Sequence, residues 1–121
     1  MLEMKLGMVE TCFADIIWEN EPLTIKTLIA LCEKELNWKR TTTYTVLKKL
    51  CDRGIFVTKD RVVTSLLSRD EFHAIQSEQF VEENFHGSLP AFIAAFTNRK
   101  PPTQEEMAEI RKLMEQLEAP Q

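Results

Sequence analysis

Between Trp38 and Gly54 the chain reads WKRTTTYTVLKKLCDRG, a run that sets hydroxyls and cations against apolar groups within one short element. On a helix, Thr43, Val46, Leu47 and Leu50 fall at i, i+3, i+4 and i+7 and make one buried stripe. Thr41, Thr42, Thr45, Lys48 and Lys49 then share the outward face. Such a face suits the groove of a nucleic acid, with short hydroxyls near base edges or phosphates and cations flanking them. Local propensity disagrees, since five of the seven residues from Thr41 to Leu47 are β-branched and Tyr44 adds to the strand tendency. The 3.6-residue stripe, the good helix formers from Leu47 to Leu50 and the stop at Gly54 favour the helix.

Charge supports the same chemistry through its distribution. The whole chain of 121 residues carries −4, yet Lys34 to Arg61 holds eight Lys or Arg against three Asp or Glu, a net +5 within an otherwise acidic sequence. Local field rather than total charge meets a phosphate backbone, so a basic island of this kind is an electrostatic footprint. Lys39, Arg40, Lys48, Lys49, Lys59 and Arg61 are its candidate phosphate contacts, and Thr42 and Thr45 the candidate probes of base edges. Two other readings of the same residues stand open: a solvated basic helix face, and an adaptor whose basic face binds an acidic protein.

The remaining chemistry is sparse. His73 and His86 are isolated, no Gly-rich phosphate loop occurs, and no Ser or Cys has a recognisable nucleophile setting, so an enzyme is not expected. Cys12, Cys32 and Cys51 lie about twenty residues apart without a CxxC pair, and are expected to pack as reduced thiols rather than hold a metal. No cofactor is implied. The absence of a long apolar run or a cationic leader points to a cytosolic protein with no membrane insertion.

The elements that must position the reading face can be read on either side of it. Leu6 to Trp18 carries Val9, Cys12, Phe13, Ile16 and Ile17 as a first amphipathic stripe, ended by Asn20, Glu21 and Pro22. Thr24 is a natural N-cap for a second helix with Ile25, Leu28, Ile29 and Cys32 on one side, and Asn37 can close it in the left-handed conformation. The second and third helices have helix-turn-helix proportions, with Trp38 as a packing wedge in the turn. Two β-rich runs follow, Ile55 to Thr58 and Arg61 to Leu66, around Lys59 and Asp60. Asp60 and Arg61 are not an ideal pair for a primed turn, which leaves the register open. Three helices and then a hairpin make a winged helix-turn-helix, assigned to residues 1–67.

Residues 68–121 read as a helical tail. Ser68 with Glu71 and Thr103 with Glu106 form capping boxes, and Gly87, Ser88, Pro101 and Pro102 punctuate the helices between. Five of the seven Phe lie here, and from Asp70 onward ten acids face four bases, a composition unsuited to DNA. Short helices of this kind do not bury their apolar faces alone; they can pack on the N-terminal domain of their own chain or, the reading favoured, on the same region of a second chain. Phe72, Phe80, Phe85, Phe92 and Phe96, with Ile110, Met114 and Leu117 on a 3-4-3 seam that includes Met107, are therefore the candidate dimerisation residues. The fold class expected is mainly α with a small β-hairpin wing, and the partners expected are double-stranded operator DNA and a second copy of the chain.

With these residues in view, the chain resembles the penicillinase-repressor family, which includes the methicillin-resistance and copper-operon repressors. IIWENEPLTIKTL carries the resemblance most specifically, followed by WKRTTTYTVLKKLCDRG, SRDEF and PTQEEMAEIRKLME. The resemblance implies a winged-helix DNA reader with a helical dimerisation tail that represses by binding an operator dyad. It places the third helix in the major groove and matches Thr41, Thr42 and Thr45 to base- and phosphate-contacting positions. The chain departs from the family in a short wing, TKDRVVTSLL, without the usual Gly-Arg turn or later Tyr, and in Thr43, where Val or Ile is usual. Ala95-Phe96 stands where β-lactam-responsive members have the Asn-Phe bond cut by a protease. The C-terminus also lacks the cysteine cluster of copper-responsive members, so metal release by that route is not expected, and the resemblance leaves the inducing signal and any part for proteolysis open.

Overall fold

The computed structural model describes residues 5–120. Its elements run α1 (Met8–Asn20), β1 (Leu23–Thr24), α2 (Ile25–Leu36), α3 (Arg40–Asp52), β2 (Phe56–Lys59), β3 (Val62–Ser65), α4 (Arg69–Phe85), α5 (Leu89–Arg99) and α6 (Gln104–Glu118). The chain packs as two compact units, the first running to Gln79 and the second beginning at Phe80. The first is a winged helix-turn-helix, and helices make up the second.

In the first unit the core gathers Phe13, Ile16 and Ile17 of α1, Leu28 and Cys32 of α2, Leu47 and Leu50 of α3, and Phe56 and Val63 of the wing. The helix boundaries follow their chemistry. Thr24 Oγ1 accepts the Thr27 N–H at 3.1 Å and caps α2, and Asn37 at φ 55° ends it. Trp38 stacks on Phe13 with ring centroids 5.5 Å apart and wedges the turn between α2 and α3. Gly54 at φ 79° lets the chain leave α3, an angle that costs other residues conformational strain.

The first helix is rotated from the expected stripe. Ala14 is enclosed with Phe13, Ile16 and Ile17, whereas Val9 and Cys12 are exposed. The core covers the arc centred between Phe13 and Ile17, and Cys12 falls outside that arc. Cys32 is buried and Cys51 partly so, as packing thiols, but Cys12 does not share that role.

The wing also holds more than a hairpin. Leu23 and Thr24 form a third strand that pairs antiparallel with β3, so the sheet order is β1-β3-β2. Asp60 at φ 53° and Arg61 at φ 62° adopt the left-handed pair of a two-residue primed turn, with Lys59 opposite Val62. Three anchors fix this short wing. The Arg61 carbonyl accepts the Ile25 N–H at 3.0 Å, the Glu21 carboxylate accepts the Ser65 N–H at 2.9 Å, and Ser65 Oγ donates to it at 2.8 Å. The register left open by the turn residues is thus set by β1 and Glu21.

Phe72 is only 2% exposed, tilted against Trp18 with centroids 5.5 Å apart. It belongs to the core of the first unit, with Ile75 packed beside it, and is not available as a dimerisation residue. Arg69 explains why the start of α4 is held there. It donates to Asp15 at 3.1 Å and Glu19 at 3.3 Å and lies over the Trp18 ring. The unit accordingly extends past the boundary read at residue 67.

The second unit has a ring cluster and no enclosed core. Phe80, Phe85, Phe92 and Phe96 meet with centroids 5.6 to 6.2 Å apart. Among its described residues none is buried, and Phe96 (55%), Leu113 (54%) and Leu117 (70%) are largely open. Both capping boxes form as read, Ser68 with Glu71 in the first unit and Thr103 with Glu106 in the second.

Candidate nucleic-acid interface

The candidate face is built on α3, whose inner stripe of Thr43, Leu47 and Leu50 is buried and whose Val46 is half-buried. Thr43 is fully buried although polar. Its hydroxyl donates to the Lys39 carbonyl at 3.5 Å, so the Thr is accommodated where an aliphatic residue would otherwise pack. Burial pushes the Cys32 and Cys51 thiols above their ordinary range, which keeps both protonated and unreactive.

Thr41, Thr42 and Thr45 all stand exposed on the outward face. Thr45 Oγ1 donates to the Thr41 carbonyl at 2.9 Å, which commits its proton within the helix. The lone pairs and methyl of Thr45 remain outward, able to accept from a base amino group or touch a thymine methyl.

The cations divide into two groups. At the C-terminal end of α3, Lys48 is bonded to Asp52 at 3.0 Å and Lys49 to Glu10 of α1 at 2.9 Å. The Lys49 hydrogen bond holds the Glu10 carboxyl below the usual range, against a smaller opposing effect of burial. Both lysines are therefore partly neutralised by carboxylates of their own chain. At the other end, Lys39, Arg40, Lys59 and Arg61 are exposed and, among the described residues, form no ion pair. Arg40 lies over the Tyr44 ring, 5.7 Å from its centroid, an arrangement that holds the guanidinium in place.

Arg40 and Tyr44 also line an open notch of about 630 Å³ with Thr24, Ile25, Lys26 and Ile29 of β1 and α2 and Arg61 of the wing turn. Lys26 and Tyr44 are absent from the set that the sequence pointed to. Lys26 precedes the basic run, and Tyr44 reads as part of a strand-like stretch; only the folded α2–α3 corner brings them together. Among the described residues no group of three or more His, Cys, Asp or Glu is placed to hold a metal ion.

The penicillinase repressor family matches residues 6–116, nearly the whole chain. The chain belongs to the penicillinase repressor family. The match spans α1 through most of α6, so it includes the reading helix, the short wing and the helical tail. The penicillinase repressors are a family of transcriptional regulators. A search of curated proteins finds no match. No described helix is long and apolar enough to cross a membrane.

Proposed function

We propose that this penicillinase-repressor family member is a homodimeric repressor that reads duplex DNA at a two-fold operator. The observation that carries the reading is the row of exposed hydroxyls, Thr41, Thr42 and Thr45, on a helix whose opposite side is locked into the core by Thr43, Leu47 and Leu50. A rigid helix with short side chains outward approaches a major groove closely, and hydroxyls and methyls discriminate base edges there. Lys39, Arg40, Lys59 and Arg61, with Lys48 and Lys49 after exchange of their carboxylates for phosphate, supply salt-sensitive affinity.

The second unit supplies the pairing. Its exposed Phe80, Phe96, Ile110, Met114 and Leu117, with the half-buried Phe85 and Phe92, lie in a unit with no enclosed residue among those described. A second copy of the same unit is the occupant that closes such a surface with two-fold symmetry.

The test is selection of genomic fragments bound by the purified chain, followed by titration at several salt concentrations. Thr45→Ala should reduce discrimination between the selected fragment and random duplex by roughly fivefold, ~1 kcal/mol, with little change in salt slope. Absence of any salt-dependent shift of DNA would contradict the proposal.

A further inference from the structure

We infer that the notch between α2, α3 and the wing turn seats a sugar–phosphate of the DNA backbone, with Lys26, Arg40 and Arg61 as its cations and Tyr44 as the positioning residue for Arg40. The inference rests on the DNA reading above and adds Lys26 and Tyr44 to it, with one shared seat for Arg40 and Arg61.

Three elements each bring one cation to the notch: Lys26 from the first turn of α2, Arg40 from the first turn of α3, and Arg61 from the wing turn. Each backbone is fixed. Thr24 caps α2 through the Thr27 N–H at 3.1 Å, and the Arg61 carbonyl accepts the Ile25 N–H at 3.0 Å, which pins the wing turn to the start of α2. The Tyr44 ring, 5.7 Å from the Arg40 guanidinium carbon, restrains the third cation. Among the described residues none of the three forms an ion pair, whereas Lys48 and Lys49 each hold a carboxylate at 3.0 Å or less. Thus the strongest uncompensated positive charge flanks the N-terminal end of the reading helix, not its C-terminal end.

The lining says what fits. No carboxylate lines the notch, and the positive end of the α2 dipole adds to the three cations, so the occupant is an anion. Ile25, Ile29 and the Tyr44 ring supply apolar wall beside them, a match for a deoxyribose carried next to its phosphate. Arg40 and Tyr44 sit on the same helix as Thr41, Thr42 and Thr45, so a duplex engaged by those hydroxyls presents its flanking backbone to this corner. The fit also gives the short wing a role, because Arg61 reaches the notch from a turn anchored on α2.

The experiment compares wild type, Lys26→Ala and, as a control outside the interface, Lys112→Ala on a selected duplex across a salt series. Lys26→Ala should lower the slope of log affinity against log salt by about 0.9 for each chain bound, on specific and random duplex alike. Lys112→Ala should leave the slope unchanged. A methylphosphonate scan of the duplex then locates the contact: one neutralised position per half-site should weaken wild type more than it weakens Lys26→Ala, which keeps only Arg40 and Arg61 on that phosphate. If wild type binds duplex and Lys26→Ala keeps the full slope, the notch assignment is overturned while the DNA reading stands. If wild type binds no duplex at all, both are overturned.

Discussion

The two units of this chain use similar apolar residues to opposite ends. In the first, Phe13, Ile17, Leu28, Leu50, Ile55, Phe56, Val63 and Phe72 are essentially removed from water, around helices and a small sheet that cross one another. In the second, four phenylalanines touch one another, yet Phe80 and Phe96 remain about half exposed and Leu117 more so. The difference lies in geometry rather than hydrophobicity. A sheet and three helices enclose a volume, whereas short consecutive helices offer faces that need another surface. The first unit is closed around its core and holds α3 rigidly, as the proposed reading of DNA requires, while the second leaves apolar faces open, as the proposed pairing requires.

The largest expected effect tests that contrast. Phe72→Ala should destabilise the first unit by about 3–5 kcal/mol, because it opens a cavity beside Trp18 and Phe56. Denaturant unfolding at two protein concentrations checks it: the loss should be the same at both. A loss confined to low concentration would return Phe72 to the pairing surface, where the sequence alone had placed it.

A smaller effect concerns the paired cations. Glu10 is held below the usual carboxyl range by its hydrogen bond from Lys49, so its folded pKa lies below its unfolded one. The pair therefore contributes stability that is present above the unfolded pKa and lost as pH falls through the folded value. Because Lys49 is half exposed, the contribution should be below about 1 kcal/mol. Glu10→Gln should flatten the pH dependence of unfolding in the acidic range, and an unchanged acid limb would show that the pair is unimportant in solution.

Much of the first unit was legible from residue spacing. The Thr43, Val46, Leu47, Leu50 stripe identified the reading helix against its β-branched propensity, because burial of one face outweighs local preference. Thr24, Asn37 and the two capping boxes marked helix ends through local hydrogen bonds that need no tertiary information. What could not be read depended on distant partners. Strand β1 has two residues, too few for a pattern, yet it sets the wing register. Asp60 and Arg61 take left-handed angles against their preferences because the sheet and the Ile25 N–H hold the turn. Phe72 shares its composition with the tail, and only Trp18 and Arg69 assign it to the core. The site shows the same division. The hydroxyl row follows from the helix period, while Lys49–Glu10 and the Lys26–Arg40–Arg61 corner join residues far apart in sequence.

The most direct test of this division is the stoichiometry of the chain on a selected duplex, read by sedimentation together with a footprint. Two chains per duplex are predicted, with protection symmetric about a two-fold axis and half-sites about one or more helical turns apart. A Phe96→Glu, Leu117→Glu variant should lose the second chain and the symmetry while its first unit stays folded. One chain protecting a lone half-site, or a variant that still binds as a symmetric pair, would contradict the assignment of reading to the first unit and pairing to the second.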